Sequence, residues 1–139
     1  MTREQKELLL KDLSARLQYG VKIQVNDKIE SLQGINVLDT VVEYGSCLSS
    51  DIEEVKPYLF PLSSMTEEQK YDFYCRFIEN DCDFNDFKEF YFENNEWHKM
   101  LTSIDDIEEI IDWFNKNHFD YRCLIPRSLA NDATGLNIY

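Results

Sequence analysis

The sequence predicts an α+β fold with an N-terminal helix, a small curved antiparallel sheet and a helical C-terminal half. Apolar residues recur at helical spacing up to Gly20, alternate as in strands over residues 20–62, and return to helical spacing in the second half. With 139 residues, 43% of them hydrophobic, the chain is large enough to bury one core. We therefore expect a single domain, in which residues 1–62 form a helix and sheet lobe and residues 63–139 a mostly helical, acidic lobe.

The first helix is predicted over residues 3–18. Thr2 and Gln5 have the spacing of a capping box, and leucines recur at helical spacing behind them. Gly20 supplies the stop, because glycine readily adopts the left-handed conformation that ends many helices.

Strands follow directly after this helix. Residues 21–25 alternate between apolar and polar, and Asn26 with Asp27 is a turn pair. Residues favourable to strands continue to Tyr44, which indicates two further strands, and a short fourth is expected near Leu48. One form that a bent sheet of this size can take is an SH3-like barrel.

Two capping boxes predict helical segments further along. Ser50 with Glu53 indicates about one helical turn, and Ser64 with Glu67 begins a helix expected over residues 65–79.

Residues 81–101 fit two interpretations. Phe84, Phe87 and Phe90 have helical spacing, whereas residues 88–100 fit a hairpin that turns at Asn94 and Asn95. We favour the hairpin.

The C-terminal part is predicted to begin with an amphipathic helix from Ser103, with isoleucines on one face. Pro126 begins a last short turn, and Asn131 to Tyr139 has the composition of a mobile tail.

Charge is the strongest compositional signal. The chain has 14 basic and 27 acidic residues, and residues 49–139 carry a net charge of −12 of the total of −13. Twelve carboxylates lie between Glu79 and Asp112, against only Lys88 and Lys99. This half would repel a phosphate backbone, so we expect neither direct nucleic-acid binding nor docking on anionic membranes.

The N-terminal apolar run of three leucines is too short for a signal peptide, and no stretch approaches the length of a membrane span. The four cysteines form no C-x-x-C pair. We therefore expect a cytoplasmic protein with reduced thiols.

Candidate metal sites in the sequence are weak. Residues 81–86 imitate the start of a calcium loop, but Asp86 stands where glycine is needed and Phe92 where the bidentate glutamate belongs. The two histidines, His98 and His118, lack a zinc-ligand spacing. We expect no metal and no cofactor.

An enzyme is not expected either, because the chain has no nucleophile-elbow, Walker A or dinucleotide-binding motif. The alternative from this class is a small hydrolase with Cys123 as nucleophile and His118 as base. His118, Asp120, Tyr121 and Arg122 also form a polar group after the last helix, and we interpret it as structural, capping the helix and holding the tail by hydrogen bonds.

Aromatic density points to a protein partner. Ten aromatic residues lie between Tyr71 and Trp97, too many to hide easily in the core, and carboxylates surround them as in a protein interface. We therefore predict a non-enzymatic interaction module that binds an unknown protein. The predicted contact residues are Phe87, Phe90, Phe92 and Trp97, with the carboxylates of Glu89, Glu93 and Glu96. An alternative is that the acidic surface mimics a nucleic acid and inhibits a host protein.

Three parts of the chain carry a resemblance. They are residues 8–13 with 16–22 (LLLKDL and RLQYGVK), residues 52–59 with 61–68 (IEEVKPYL and PLSSMTEE), and residues 113–122 (WFNKNHFDYR). These stretches resemble an uncharacterised family of small acidic proteins encoded by gut bacteria and by their phages and prophages. Cys123 departs from the family's usual glycine, which weakens it as a nucleophile, and the tail departs as well. The resemblance implies an accessory role in a mobile element and carries over no functional residue.

Overall fold

The computed structural model describes residues 1–97 and 107–139. The chain divides into two compact units, which we call unit 1, Met1–Pro61 with Phe114–Tyr139, and unit 2, Leu62–Trp113. Unit 2 thus begins one residue before the predicted second lobe. Residues after Trp113 belong to unit 1, where Leu124 and Leu129 bury their side chains in the core.

Helix α1 of unit 1 spans Arg3–Arg16 and continues as a short 3-10 helix over Leu17–Tyr19. The predicted capping box is present: the Gln5 amide donates to Thr2 Oγ1 at 3.1 Å, and the Thr2 amide donates to Gln5 Oε1 at 2.8 Å. Gly20 ends the segment with a φ of +65°, in the left-handed region that glycine adopts without strain.

A six-stranded curved sheet completes unit 1 and confirms the α+β class. Its spatial order is β4-β3-β2-β1-β5-β6, and all neighbours are antiparallel except β5 and β6. The sheet is open, so it does not close into an SH3-like barrel. The strands are β1 Lys22–Val25, β2 Lys28–Asn36, β3 Val41–Tyr44, β4 Leu48–Asp51, β5 Val55–Leu59 and β6 Asn131–Asp132.

The turns between the strands follow local chemistry. Asn26 and Asp27 both have positive φ, as the two-residue turn between β1 and β2 requires. A short 3-10 helix, Ile52–Glu54, follows β4 as predicted, but Asp51 rather than Ser50 caps it, its carboxylate accepting the Glu53 amide at 2.9 Å.

The core of unit 1 lies between α1, the sheet and the C-terminal turns. Its buried residues are Leu9, Leu13, Val21, Ile23, Val25, Leu32, Val42, Tyr44, Ile52, Val55, Leu59, Leu124, Leu129 and Ala130.

The prediction of a mobile tail over residues 131–139 is wrong. Asn131 and Asp132 pair with β5 as strand β6, and the Ala133 amide donates to the Leu59 carbonyl at 2.8 Å. The Tyr139 hydroxyl accepts the Lys22 amide at 2.9 Å. Composition alone does not reveal such docking, because the bonds are made by backbone groups of a distant strand.

Unit 2 begins with a 3-10 helix, Leu62–Ser64, followed by α2, Glu67–Phe77. The predicted capping box of α2, Ser64 with Glu67, lies two residues too early: Thr66 and Gln69 form the box.

The predicted hairpin over residues 88–100 is wrong in its described part. Helix α3, Phe84–Lys88, continues as a π-helical turn over Glu89–Glu93. The Asp83 carboxylate caps α3 by accepting the Asp86 amide at 2.9 Å, and Phe87 is buried on its inner face. Residues 98–100 lie outside the described part.

The last helix, α4, is described over Ile107–Lys116. Its predicted start at Ser103 lies outside the described residues. Within the described ranges, no helix is long and apolar enough to cross a membrane.

Candidate functional site

Charge is divided unequally between the two units. The sequence of unit 2 contains four basic and 15 acidic residues, a net charge of −11, whereas unit 1 has a net charge of only −2. Nearly all of the excess acidity of the chain therefore belongs to 52 consecutive residues.

The described basic side chains of unit 2 pair with carboxylates of the same unit. Lys70 and Lys88 share the Glu67 carboxylate at 3.1 and 3.3 Å, and Arg76 pairs with Asp72 at 2.9 Å. The hydrogen bond from Lys70, followed by that from Lys88, lowers the pKa of Glu67. Among the described residues, these three cations pair with two carboxylates, whereas the sequence of the unit contains 15 acidic side chains.

Uncompensated carboxylates lie on α3 and the π-helical turn. Asp86, Glu89 and Glu93 are exposed, and no cation pairs with them in the described part of the chain. Glu96 is half-buried and therefore differs from the other carboxylates of the predicted contact set. On this segment the negative surface is formed by Glu89, Glu93 and their neighbour Asp86.

Two predicted contact residues are core residues instead. Phe87 is fully buried and stacks on Phe73 at 5.9 Å, and Trp97 is 6% exposed and meets Phe73 edge-on at 5.8 Å. Trp113 closes the same cluster at 5.1 Å from Phe73. Phe87 and Trp97 therefore stabilise unit 2 and offer no surface to a partner.

The other two predicted aromatic residues lie nearer the surface. Phe90 is 39% exposed, and Phe92 is half-buried beneath Lys70 Nζ, 4.3 Å from its ring centre. Tyr71, which the prediction did not include, is 55% exposed. The exposed aromatic surface of unit 2 is therefore supplied by Tyr71 and Phe90.

The π-helical turn determines which side chains are exposed here. Its wider spacing is set by the Asn94 amide, which donates to the Glu89 carbonyl at 3.0 Å. Phe90 is 39% exposed and meets the Tyr91 ring edge-on at 4.9 Å, while Tyr91 and Phe92 contact Phe87 at 5.2 and 5.9 Å. Such turns are frequent at functional sites.

The alternative Cys/His site receives little geometric support. No hydrogen bond joins Cys123 and His118 among the described residues, and the His118 ring lies stacked on Tyr139, 3.8 Å between centroids. Burial and the nearby Arg16 charge lower the pKa of His118 to about 4. An imidazole of such low basicity is a poor base for activating a thiol at neutral pH.

The polar residues after α4 hold the chain together, as the structural interpretation predicts. Asp120 accepts the amides of Leu124 and Ile125, each at 2.8 Å. Arg122 donates to Asp12 of α1 at 3.0 Å. The Asp120 bonds stabilise the turn that follows it, and the Arg122 bond connects the C-terminal segment to the first helix, so these polar groups serve the structure.

Sequence reasoning missed a buried ion cluster in unit 1. Arg16 donates to Asp12 at 2.8 and 3.1 Å and to the Phe119 carbonyl at 2.8 Å, and neither Asp12 nor Arg16 is exposed. The sequence contains a signal for this cluster, because residues 9, 12, 13 and 16 share one helical face, which carries two leucines and two charged residues.

The described part of unit 1 has surface cavities. One of about 320 Å³ is lined by Gln33, Glu43, Tyr44, Cys47, Leu48 and Ser49. Another, of about 290 Å³, is lined by Gln24, Asn26, Asp27, Glu53, Glu54 and Lys56. In the part of the chain that is described, no group of three or more His, Cys, Asp or Glu residues could hold a metal ion.

Comparisons with protein-family models, with curated proteins and with solved structures find no match to this chain.

Proposed function

We propose that the protein is a non-enzymatic interaction module that binds a basic protein partner through unit 2. The observation that carries the proposal is the concentration of charge: unit 2 has a net charge of −11, and its described basic residues are already paired internally. Opposite charge on a partner would be attracted over a long range and oriented before contact.

Exposed aromatic residues supply the apolar part of such a surface. Tyr71 and Phe90 are large exposed side chains of unit 2, and Glu89 and Glu93 flank Phe90 in the sequence. Aromatic anchors surrounded by polar residues are the usual composition of protein interfaces. The predicted contact set is accordingly revised to Tyr71, Phe90, Glu89 and Glu93.

The sequence supports a setting for this activity. We infer an accessory role in the cytoplasm, of the kind that the resemblance to small phage and prophage proteins implies. No direct contact with nucleic acid or membrane is part of this role, because both are anionic and would be repelled by unit 2.

A pull-down experiment tests the proposal. The tagged protein is used as bait in a bacterial lysate, retained proteins are identified by mass spectrometry, and the purified partner is titrated against variants. We expect Tyr71→Ala with Phe90→Ala, and separately Glu89→Gln with Glu93→Gln, to weaken binding at least tenfold. The control, Asp27→Asn with Glu54→Gln, removes the same two charges from exposed positions of unit 1 and should bind like the wild type. Equal binding by all variants would contradict the proposal.

Mimicry of nucleic acid is a special form of the same proposal. In that case the partner's own nucleic-acid ligand competes with unit 2, because both occupy one basic groove. A partner that binds the protein and its nucleic acid simultaneously would exclude mimicry and leave a general protein contact.

A further inference from the structure

Unit 2 holds each of two lysines between an aromatic ring and a carboxylate. Lys70 Nζ lies 4.3 Å from the centre of the Phe92 ring and 3.1 Å from the Glu67 carboxylate. Lys88 Nζ lies 4.6 Å from the centre of the Phe84 ring and 3.3 Å from the same carboxylate. A ring face attracts a cation through its quadrupole, and a carboxylate attracts it through its charge. The two lysines thus give an internal pattern for how this surface holds a positive side chain.

Tyr71 is an exposed ring of the same unit. It is 55% exposed, although the Phe84 ring meets it edge-on at 5.3 Å and the Tyr74 ring lies 6.3 Å away. The Tyr74 and Phe84 rings are 5.4 Å apart, and the Tyr74 hydroxyl donates to the Cys82 carbonyl at 2.8 Å. These contacts support the Tyr71 ring from one side, and in the described part of the chain no lysine or arginine lies over it.

A carboxylate, Glu79, follows Tyr71 by about two helical turns. Residues 71, 75 and 79 are four positions apart, along one side of α2 and the turn that ends it, where the Ile78 and Glu79 amides both donate to the Tyr74 carbonyl at 2.9 Å. Burial, followed by the charge of Glu79, raises the pKa of Tyr74. Interactions with Cys75, followed by burial and the charge of Glu79, raise the pKa of Tyr71. The Glu79 charge therefore acts on both phenols.

Glu79 is exposed, and no cation pairs with it among the described residues. Arg76, three positions earlier, donates to both oxygens of Asp72 at 3.0 and 2.9 Å. Tyr71 and Glu79 thus offer the ring and the carboxylate that hold a lysine elsewhere in the unit, without a described cation of their own.

The chemistry of this pair selects a guanidinium. A planar guanidinium can lie on a ring face and still direct its N–H donors to a carboxylate beside the ring, whereas an ammonium is a compact and strongly hydrated charge. An arginine is therefore expected to bind more tightly than a lysine at an exposed ring. A second copy of the chain is disfavoured as the source, because two units with a net charge of −11 repel each other.

We propose that Tyr71 and Glu79 bind an arginine side chain of the partner protein. The guanidinium lies on the Tyr71 ring and donates to the Glu79 carboxylate, while the Tyr74 and Phe84 rings keep Tyr71 in place. This site deepens the function proposed for unit 2, on which it rests: the basic partner presents an arginine there, and Glu79 joins the contact residues.

Peptide titration followed by nuclear magnetic resonance tests the proposal. The probe is a short peptide of glycine and serine with capped ends and one central arginine. It is compared with peptides that carry lysine, or citrulline, which has the shape of arginine without its charge. At low salt we expect the arginine peptide to shift the ring resonances of Tyr71 and the side-chain resonances of Glu79 more than those of other residues. The lysine peptide should bind about twofold more weakly or less tightly still, and the citrulline peptide should cause no such shifts.

Variants separate the ring from the charge. Tyr71→Phe keeps the ring face and should bind the arginine peptide as the wild type does, whereas Tyr71→Ala should weaken binding about threefold or more. Glu79→Gln should weaken it by a similar factor, while Glu109→Gln, which removes the same charge from an exposed position of α4, should bind like the wild type. If Tyr71→Ala does not fold, Glu79→Gln and the comparison of the three peptides decide.

Three results would overturn the proposal: equal shifts with the arginine and citrulline peptides, equal affinity for lysine and arginine, or arginine shifts confined to other residues such as Glu89 and Glu93. Each would leave the function proposed for unit 2 standing, because a partner could still bind through Phe90 and the carboxylates beside it. Failure of that function gives a different result, namely a captured partner whose affinity is unchanged by Tyr71→Ala with Phe90→Ala and by Glu89→Gln with Glu93→Gln.

Discussion

Asp12 and Arg16 form a fully buried ion pair on α1, with Arg16 Nε and Nη2 donating to the two carboxylate oxygens at 2.8 and 3.1 Å. The same helix carries a second pair of the same spacing, Arg3 with Glu7, also at 2.8 Å but with both side chains mostly exposed. The two pairs differ in burial and in hydrogen bonding, because Arg16 binds both oxygens of Asp12 and the Phe119 carbonyl, whereas Arg3 Nε donates to Glu7 Oε1. Comparing them tests how much a buried, multiply bonded ion pair contributes beyond an exposed one.

We predict that Asp12→Ala lowers the free energy of unfolding by about 3–5 kcal/mol, because it leaves the buried Arg16 and the nearby Arg122 without their shared counter-charge. Glu7→Ala should change it by less than about 1 kcal/mol, since exposed pairs contribute little. Urea unfolding of both variants measures the difference. If Asp12→Ala does not fold, Asp12→Asn, which preserves the shape, replaces it. Equal effects at the two positions would contradict this account.

The sequence allowed most of unit 1 to be predicted, because its signals are local. The capping box of Thr2 and Gln5, the alternation in β1 and the turn at Asn26 and Asp27 each depend on neighbours within a few residues. The position of residues 114–139 could not be predicted in this way. It depends on pairing with β5 and on Arg122 reaching Asp12, contacts between residues about 70 to 110 positions apart.

The candidate site was predicted only in part, for a similar reason. Acidity and aromatic content located it in unit 2, but spacing could not separate the buried Phe87 and Trp97 from the exposed Phe90. That division depends on the π-helical turn, which shifts the helical face within Glu89–Glu93. The hairpin interpretation overlooked the Asp83 cap, whose side chain starts a helix at Phe84.

Tyr139 provides a test of the docked tail. Its hydroxyl accepts the Lys22 amide at 2.9 Å and donates to the Tyr58 carbonyl at 2.6 Å, so Tyr139→Phe should cost about 1 kcal/mol of stability. Amide exchange at Lys22 should become faster. Tyr71→Phe, at an exposed position of unit 2, serves as the control.

Burial raises the pKa of Tyr139 to about 12, so its phenol should be the last to ionise in an ultraviolet titration that compares the wild type with Tyr139→Phe. A tail that is mobile would show neither effect.

His118 should make stability depend on pH in acid solution. Burial, with the charge of Arg16, lowers its pKa to about 4 from the usual value of 6.5. Between these values the unfolded chain binds a proton at His118 that the folded chain does not, so stability falls as the pH decreases from 6.5 to 4. Below pH 4 both states are protonated, and the loss reaches its limit.

The measurement for His118 is urea unfolding at several pH values for the wild type and His118→Asn. Asparagine suits this position because φ is +60°, in the left-handed region that asparagine adopts more readily than most residues. Carboxylates titrate in the same pH range and affect both proteins alike. The difference between the free energies of unfolding of the wild type and His118→Asn therefore isolates the contribution of the histidine. A difference that does not vary between pH 4 and 6.5 would show that His118 has an ordinary pKa. Titration of its ring protons by magnetic resonance measures that pKa directly.

The final prediction concerns the acidity of unit 2 once a partner is identified. If binding is driven by charge, the dissociation constant should rise steeply with salt, because a shorter Debye length screens the attraction. Changing Glu89, Glu93 and Glu96 to Gln should weaken binding and also flatten the salt dependence. Of these, Glu96 should contribute least, since it is half-buried and the other two are exposed. Titrations at low and high salt, with Glu96→Gln measured separately, provide the test. If neither salt nor the substitutions weaken binding, charge does not drive it and nucleic-acid mimicry is excluded, and Tyr71 and Phe90 become the residues that must account for the affinity.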